Sequence, residues 1–276
     1  MIGKEGHLFL VGADDGALGR YARPQEEVRE IAERWVQLAH RRHEASTERG
    51  LKFVQMVIPE KSTVLREISG LEITGPMPVY DLMIESLRSE SWFLDALPLL
   101  RKIEKPFLTI DTHLSAHGAQ EIFANLVDRL LPDRSDQVRD VECDVSRWTQ
   151  GDLVARFFAL PFFSLISEPG SVQMSALARE IIPIVEQPAP DGKHIGSTFS
   201  WSNGAWPGKD RVLIFGNSFF GAGRTPNDLS WWAKHFFSAA SFVWSPEVDW
   251  DLVDREQPDL VIAQSTERYL GRVPVT

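Results

Sequence analysis

The sequence predicts an α/β protein whose parallel sheet is covered by helices on both faces. Short apolar runs rich in β-branched and aromatic residues alternate along the chain with longer segments in which apolar residues recur at helical spacing. Continuous apolar runs are typical of strands buried on both faces, and strands that alternate with helices form parallel sheets. The predicted strands cover residues 51–59, 106–111, 211–216, 240–245 and 259–265.

Helical patterns lie before and between these strands. In the longest, residues 25–49, the side chains of Val28, Ile31, Trp35 and Leu38 recur at helical spacing and give one apolar stripe. The same pattern predicts helices over residues 79–87, 94–102, 115–131 and 229–239.

Two segments rich in turn residues interrupt the alternation. Residues 71–78 form a loop marked by Gly and Pro, and residues 188–210 contain the sequence SNGA at 202–205, which predicts a tight hairpin. Because the second segment leads directly into strand 211–216, we expect it to form one wall of a cleft. The chain has 276 residues, of which 43% are hydrophobic. It therefore predicts a single domain over residues 1–276, with a loop or hairpin insertion at about 188–210.

Composition excludes several classes of function. A formal charge of −10 repels phosphate, so binding to nucleic acid or to an anionic membrane is not expected. The lone cysteine, Cys143, excludes an internal disulfide and a zinc site built from cysteines. The sequence has no apolar run long enough to span a bilayer and no signal-peptide pattern at its start. These features predict a cytoplasmic protein as the chain stands, or a periplasmic or extracytoplasmic one if a leader was removed.

Two short stretches carry residue types suited to nucleophilic catalysis. Strand 211–216 ends in Gly216-Asn217-Ser218, which can place a hydroxyl on a turn at the carboxyl edge of the sheet, where ligands bind in such folds. Asp111 and His113 are two residues apart, and an extended backbone would send both side chains to the same side. The carboxylate could then orient the imidazole so that its other nitrogen takes the proton of Ser218.

The same stretch contains a rival pattern for a metal site. His113, His117 and Glu121 follow each other at a spacing of four residues and, with Asp111, could supply imidazole and carboxylate ligands. However, Ser115 is typical of a helix N-cap, which would put His113 before the helix and away from the face that carries His117. The prediction is therefore a site without metal.

Six motifs along the chain resemble, in their order, the SGNH-hydrolase-like domain of alginate O-acetyltransferases. The resemblance extends from about Gly3 to Leu270. The motifs are GKEGHLFL at 3–10, VIPEKSTV at 57–64, DTHLSAHGAQ at 111–120, GDLVARFF at 151–158, VLIFGNSFF at 212–220 and PDLVIAQSTERYL at 258–270.

This resemblance implies a flavodoxin-like α/β domain in which a Ser-His-Asp triad moves acyl groups onto or off carbohydrate hydroxyls. The D-T-H pair of the family matches Asp111 and His113, and its G-D-S-F nucleophile motif matches GNSF, which assigns the nucleophile to Ser218. The pair precedes the serine, as in the permuted order of the acetyltransferase branch. The chain departs from the family pattern at Asn217, where the motif has Asp, and at Leu114, where Trp commonly follows D-T-H.

Further residues complete the predicted site. The Asn217 amide and nearby backbone N–H groups are candidates for the oxyanion hole. Lys61 and Arg268 follow strand ends and match family positions, and Trp206 offers a flat face for a sugar ring, so these three are candidate substrate-binding residues.

The predicted function is transfer of an acyl group through an acyl-serine to a hydroxyl of a saccharide or glycoside. An acyl donor is needed as co-substrate, and no bound cofactor is expected. The acidity of the chain favours a neutral or weakly charged sugar as acceptor. The alternatives are a carbohydrate esterase with the same triad, an inactive carbohydrate-binding or assembly subunit, and a metal-dependent hydrolase.

Overall fold

The computed structural model describes residues 1–11, 19–72, 75–154, 162–170, 175, 178 and 180–276. Residues 155–158 of the GDLVARFF motif and residues 73–74 of the loop at 71–78 lie outside the described residues.

The strands of the main sheet are β1 Lys52–Ile58, β2 Phe93–Asp95, β5 Ile181–Gln187, β6 Thr198–Asn203, β7 Arg211–Gly216, β8 Ala239–Trp244 and β9 Leu260–Thr266; β3 Val145–Thr149 and β4 Ser164–Glu168 form a separate antiparallel pair. The seven strands of the main sheet lie in the order β2-β1-β9-β7-β8-β6-β5. The first five of these are mutually parallel, whereas β6 is antiparallel to β8 and β5 is antiparallel to β6. The predicted parallel α/β sheet is thus confirmed, with an antiparallel pair added at one edge.

Helices pack on both faces of the sheet, as predicted. Alternate residues of each strand point to opposite faces, so Met56 and Ile214 pack with α6 and α8, whereas Val57 and Phe215 pack with α1 and α4. The helices are α1 Gln25–Glu48, α2 Lys61–Val64, α3 Arg66–Ser69, α4 Pro78–Leu87, α5 Leu97–Leu100, α6 Ala116–Leu130, α7 Ser135–Arg139, α8 Leu229–Phe236 and α9 Trp250–Glu256. Among the described residues, none of the helices combines the length and apolar character needed to cross a membrane.

The apolar run at 106–111 is not a strand. Its backbone groups bond within a local loop: Leu108 N–H donates to the His113 carbonyl at 3.1 Å, and Phe107 forms an isolated bridge with Leu114. The Thr109 carbonyl accepts from the backbone N–H of Leu8 at 2.8 Å. These bonds replace those of a sheet, and the segment buries its apolar side chains although it is a loop. The predicted helix at 94–102 is also shorter, because residues 93–95 form β2 and helix α5 begins only at Leu97, with a proline in its first turn.

The tight hairpin predicted at residues 202–205 is a turn between strands that do not pair with each other. Strand β8 lies between β6 and β7, so that Ala239 is the partner of both Ser202 and Arg211. The antiparallel partner on the outer side of β6 is β5. A strand that comes later in the chain therefore separates the two, which local sequence could not indicate.

The loop at 106–115 is held by a close backbone approach at Gly151. A Cβ atom at Gly151 would lie 2.0 Å from the Ile110 carbonyl oxygen and 2.4 Å from its carbon. Since both are backbone atoms, a side chain at Gly151 would have to displace the loop itself. Gly151 therefore fixes the distance between this loop and the segment that follows β3.

We predict that Gly151→Ala lowers the free energy of unfolding by about 1–3 kcal/mol, because it overpacks a contact between two backbone segments. Urea unfolding followed by circular dichroism measures the change. Gly19→Ala is the matched control: no atom of the described residues lies within 4 Å of its Cβ position, so its cost should stay within about 0.5 kcal/mol. Equal stabilities of the two variants would contradict the prediction.

Candidate active site

Asp111 and His113 form a hydrogen-bonded pair on the loop at 106–115. Asp111 Oδ1 lies 2.7 Å from His113 Nδ1 and accepts the His113 backbone N–H at 2.8 Å. The Asp111 residue is 9% exposed, whereas 25% of the His113 side chain is exposed. When Nδ1 donates to the carboxylate, the other ring nitrogen, Nε2, is left as a proton acceptor. The structure thus orients the imidazole, although from a loop and not from the end of a strand.

A second carboxylate, Asp152, completes the support of this loop. Its backbone N–H donates to Asp111 Oδ2 at 2.8 Å, while its own oxygens accept from Thr112 N at 2.9 Å and Thr112 Oγ1 at 2.7 Å. Asp152 Oδ2 also lies 4.0 Å from His113 Nδ1. The sequence analysis did not assign a role to Asp152; the signal that could have indicated it is its place in the GDLVARFF motif, next to Gly151.

These contacts set the protonation of the pair. Burial by itself would raise the pKa of Asp111, but the hydrogen bonds and charge of His113 outweigh it and lower this pKa to about 2. Burial would likewise lower the pKa of His113, but the hydrogen bond and charge of Asp111, with the charges of Asp152 and Asp228, raise this pKa above its usual value. Asp111 is therefore ionised at neutral pH and strengthens His113 as a base.

Lys61 anchors the same loop through hydrogen bonds from its ammonium group. It is 4% exposed, and its Nζ donates to the carbonyls of Leu8, Leu108, Thr109 and Asp111 at 2.6–3.0 Å. Burial lowers the pKa of Lys61 to about 7, against the opposing charges of Asp111 and Asp152. Lys61, a candidate substrate-binding residue, is therefore buried against the loop, where its ammonium group joins the amino-terminal segment to the backbone around Asp111.

The turn after β7 carries Ser218 and is pinned to the end of β9. Asn217 N–H donates to Gln264 Oε1 at 3.0 Å, and Asn217 Nδ2 donates to Thr266 Oγ1 at 2.8 Å. A Cβ atom at Gly216 would lie 2.8 Å from Gln264 Oε1, so a side chain there would displace the amide that accepts from the Asn217 N–H. Ser218 itself is half-buried. The predicted nucleophile thus lies at the carboxyl edge of the sheet.

Two contacts and one electrostatic interaction join the loop that contains Ser218 to the loop that contains His113. Asn227 Nδ2 donates to the Leu114 carbonyl at 2.8 Å, and the ring of Phe219 meets the imidazole of His113 edge-on with 5.7 Å between centroids. The charge of Asp228 also contributes to the raised pKa of His113. Within the ranges given above, the Ser218 hydroxyl and the His113 ring form no hydrogen bond. The structure therefore brings the two loops together without showing the complete triad.

Asn227 and Asp228 were not identified from the sequence. Both belong to the segment between Ser218 and α8, and burial raises the pKa of Asp228 to about 6. An Asn-Asp pair before a helix is typical of N-capping, so local sequence gave no reason to assign these residues to the site.

The other two candidate substrate-binding residues lie in different places. Arg268 follows β9 at the same edge of the sheet as Ser218, where it pairs with Glu60 at 2.5 Å. Trp206 precedes β7 and therefore lies near its opposite end, with Arg134 5.3 Å above its ring and Phe236 at 5.6 Å.

The described residues contain one group with the spacing of metal ligands, namely Asp111, His113 and Asp152, whose ligand atoms lie within 4.8 Å of one another. The oxygens of Asp111 and Asp152 already accept the hydrogen bonds given above. In this structure the three residues therefore orient the His113 imidazole through hydrogen bonds between protein groups. His117, which the rival pattern required, is exposed and lies outside this group, with its Nδ1 3.4 Å from Gln120 Oε1.

We predict that Asp111→Asn lowers the pKa of His113 by about 1–3 units, because it removes the adjacent negative charge. A proton NMR titration of the His113 ring measures the shift, and Asp191→Asn, at an exposed carboxylate, is the control. The pair stabilises the fold fully below the unfolded pKa of histidine, about 6.5, and this contribution is lost as the pH rises through the raised pKa of His113. An unchanged titration in Asp111→Asn would contradict the assigned interaction.

Comparison with known proteins supports the fold. No family model matches the chain, and no curated protein is a significant match. The O-acetyltransferase domain of Pseudomonas putida AlgJ aligns with a TM-score of 0.59 at 15% identity, covering 100% of this chain and 94% of that chain. Bacillus cereus PatB1, solved with a sulfonyl adduct, aligns with a TM-score of 0.62 at 11% identity, covering 91% of each chain. A DHHW family protein from Eubacterium siraeum gives 0.54 at 13% identity, covering 97% and 90%. Over its full length the chain therefore has the α/β fold of the AlgJ O-acetyltransferase domain, and the fold implied by the sequence resemblance is confirmed.

Proposed function

We propose that this protein is an O-acyltransferase that moves an acyl group to a hydroxyl of a saccharide through an acyl-serine at Ser218. The observation that carries the proposal is the Asp111–His113 hydrogen bond of 2.7 Å on a loop fastened by Asn227 to the segment that contains Ser218. The shared fold with a domain whose function is O-acetyl transfer favours this chemistry over other uses of a Ser-His-Asp set.

In the first half-reaction, His113 Nε2 takes the proton of Ser218 while the hydroxyl oxygen attacks the carbonyl carbon of the acyl donor. Asp111 holds the imidazole in place and stabilises its positive charge. The tetrahedral intermediate then expels the leaving group of the donor, which receives the proton from His113. The products of this step are the acyl-serine ester and the protonated leaving group.

In the second half-reaction, a saccharide hydroxyl replaces the leaving group. His113 takes the proton of that hydroxyl as its oxygen attacks the acyl-serine carbonyl. Collapse of the second tetrahedral intermediate breaks the bond to Ser218, whose oxygen recovers the proton from His113. The acyl group ends as an ester on the sugar.

The backbone N–H of Ser218 is the main candidate for stabilising the negative oxygen of these intermediates. It has no acceptor within the part of the chain that the structure describes, and it belongs to the attacking residue itself. One N–H of the Asn217 amide is used by Thr266, which leaves the other for the oxyanion role that the sequence analysis proposed.

Ester hydrolysis by the same residues is the second candidate. A quarter of the His113 side chain is exposed, so water can reach the base that would activate it. The two functions differ only in the acceptor, since water takes the place of the sugar hydroxyl in the second half-reaction.

We predict that an activated acyl ester adds one acyl mass to the parent protein and none to Ser218→Ala, as measured by intact mass spectrometry. Ser86→Ala, at an exposed serine on α4, should acylate like the parent. His113→Gln should slow acylation by about 10²-fold or more, because it removes the general base. With oligosaccharide present, an acylated sugar indicates a transferase, whereas release of free acid alone indicates an esterase. Acylation of Ser218→Ala at the parent rate would refute the assignment of the nucleophile.

A further inference from the structure

A cavity of about 410 Å³ lies where α8 packs against the antiparallel edge of the sheet. Its volume falls in the range of small-ligand sites, which is about 300–1,000 Å³. None of the residues around it takes part in the acyl-transfer steps described above. The lining residues are Ala178, Ile181, Pro183, Trp201, Trp231, Lys234 and His235.

Two indole rings form much of the wall. Trp201 and Trp231 are each 8% exposed. In the part of the chain that the structure describes, neither indole N–H has a hydrogen-bond partner, and neither nitrogen is among the fully enclosed polar atoms. Both N–H groups are therefore open to solvent and can donate to a ligand that carries acceptors. With Ile181 and Pro183, the two indoles also give the cavity apolar walls, against which the C–H groups of a sugar ring can pack.

The remaining polar groups add donors and an acceptor. Lys234 Nζ donates to the Gly223 carbonyl at 2.6 Å, which leaves two of its hydrogens for a ligand. His235 Nδ1 lies beside the Trp231 carbonyl, and burial lowers the pKa of His235 to about 4, so the ring is neutral and its Nε2 is an acceptor. A hydrocarbon chain would leave all these groups unpaired, whereas a ring with several hydroxyls can bond to each of them.

The cavity borders the segment that contains the predicted nucleophile. Gly223, which accepts from Lys234, follows Ser218 by five residues, and a Cβ atom there would lie 3.2 Å from the Trp201 ring. Burial lowers the pKa of Lys234, and the charge of Asp228 opposes this shift. The same charge contributes to the raised pKa of His113, so Asp228 lies close to both sides. A ligand in the cavity would therefore lie next to the segment that joins the two sites.

We propose that this cavity binds one sugar ring of a neutral saccharide, packed against the indoles of Trp201 and Trp231 and hydrogen-bonded by Lys234 and His235. Its assignment as the acceptor subsite rests on the proposed acyl transfer, but the binding of sugar does not. Because the cavity residues are separate from the triad, binding and acylation can be tested apart.

The test uses Ser218→Ala protein, in which the proposed turnover is blocked, and titrates it with neutral tetrasaccharides of glucose, mannose, galactose and N-acetylglucosamine. Intrinsic tryptophan fluorescence and isothermal titration calorimetry report binding. We expect at least one tetrasaccharide to bind saturably. Adding Lys234→Met should weaken binding about tenfold or more, since it removes a charged donor, whereas Lys234→Arg should keep most of it.

Further variants identify the site of binding. Trp231→Phe keeps an aromatic ring but removes the N–H, and it should weaken binding and reduce the fluorescence change. Trp250→Phe and Lys193→Met, at residues outside the cavity, should leave binding unchanged. Thermal unfolding confirms that each variant is folded. The proposal would be overturned if no tetrasaccharide bound saturably. It would also be overturned if Lys234→Met and Trp231→Phe bound the tetrasaccharide as tightly as the Ser218→Ala protein does. Acylation of Ser218→Ala would instead refute the proposed function and leave the binding result intact.

Discussion

The hydrogen bond between the Asp111 carboxylate and the His113 imidazole is the interaction on which the rest of the site depends. A carboxylate that is nine-tenths buried is costly unless its charge is compensated and its oxygens are bonded. Here one oxygen accepts from His113 twice and the other accepts from the Asp152 backbone. The group that orients the base is therefore also the group that joins the loop at 106–115 to the segment after β3, so loss of either contact would loosen both.

These contacts come from a loop and not from a strand, and two further residues, Lys61 and Gly151, stabilise that loop. A loop buried at the edge of a sheet has carbonyls that no strand satisfies. Lys61 meets that demand with one ammonium group shared by four carbonyls, which lie on two separate segments of the chain. Gly151 acts on the other side, where backbone packs against backbone. The four hydrogen bonds of Lys61 and the close backbone packing at Gly151 thus hold this loop in place, where a sixth parallel strand would have been held by regular hydrogen bonds.

The sequence predicted the parts of the structure that local patterns determine. Strands β1, β7, β8 and β9 were placed to within one residue at each end, because strands buried on both faces give continuous apolar runs. The run at 106–111 has the same appearance but forms a loop, since its backbone bonds to the nearby residues 113–115, to Leu8 and to the Lys61 side chain and not to a neighbouring strand of the sheet. Asp152 could not be assigned a role, because its contact with Asp111 spans 41 residues. The hydrogen bond from Asn227 to the Leu114 carbonyl joins residues 113 positions apart, so local sequence patterns could not predict it either.

The departure at Asn217 follows from the charges around it. Asp111, Asp152 and Asp228 all act on the one imidazole of His113, and the chain carries a net charge of −10. A fourth carboxylate next to Ser218 would oppose the negative oxygen that the proposed acyl transfer would develop there. The amide of Asn217 keeps the acceptor that receives the Phe219 N–H at 3.3 Å and adds a donor to Thr266. It therefore preserves the shape of the turn while removing a charge, which is consistent with an active nucleophile and makes this substitution a weak argument for an inactive subunit.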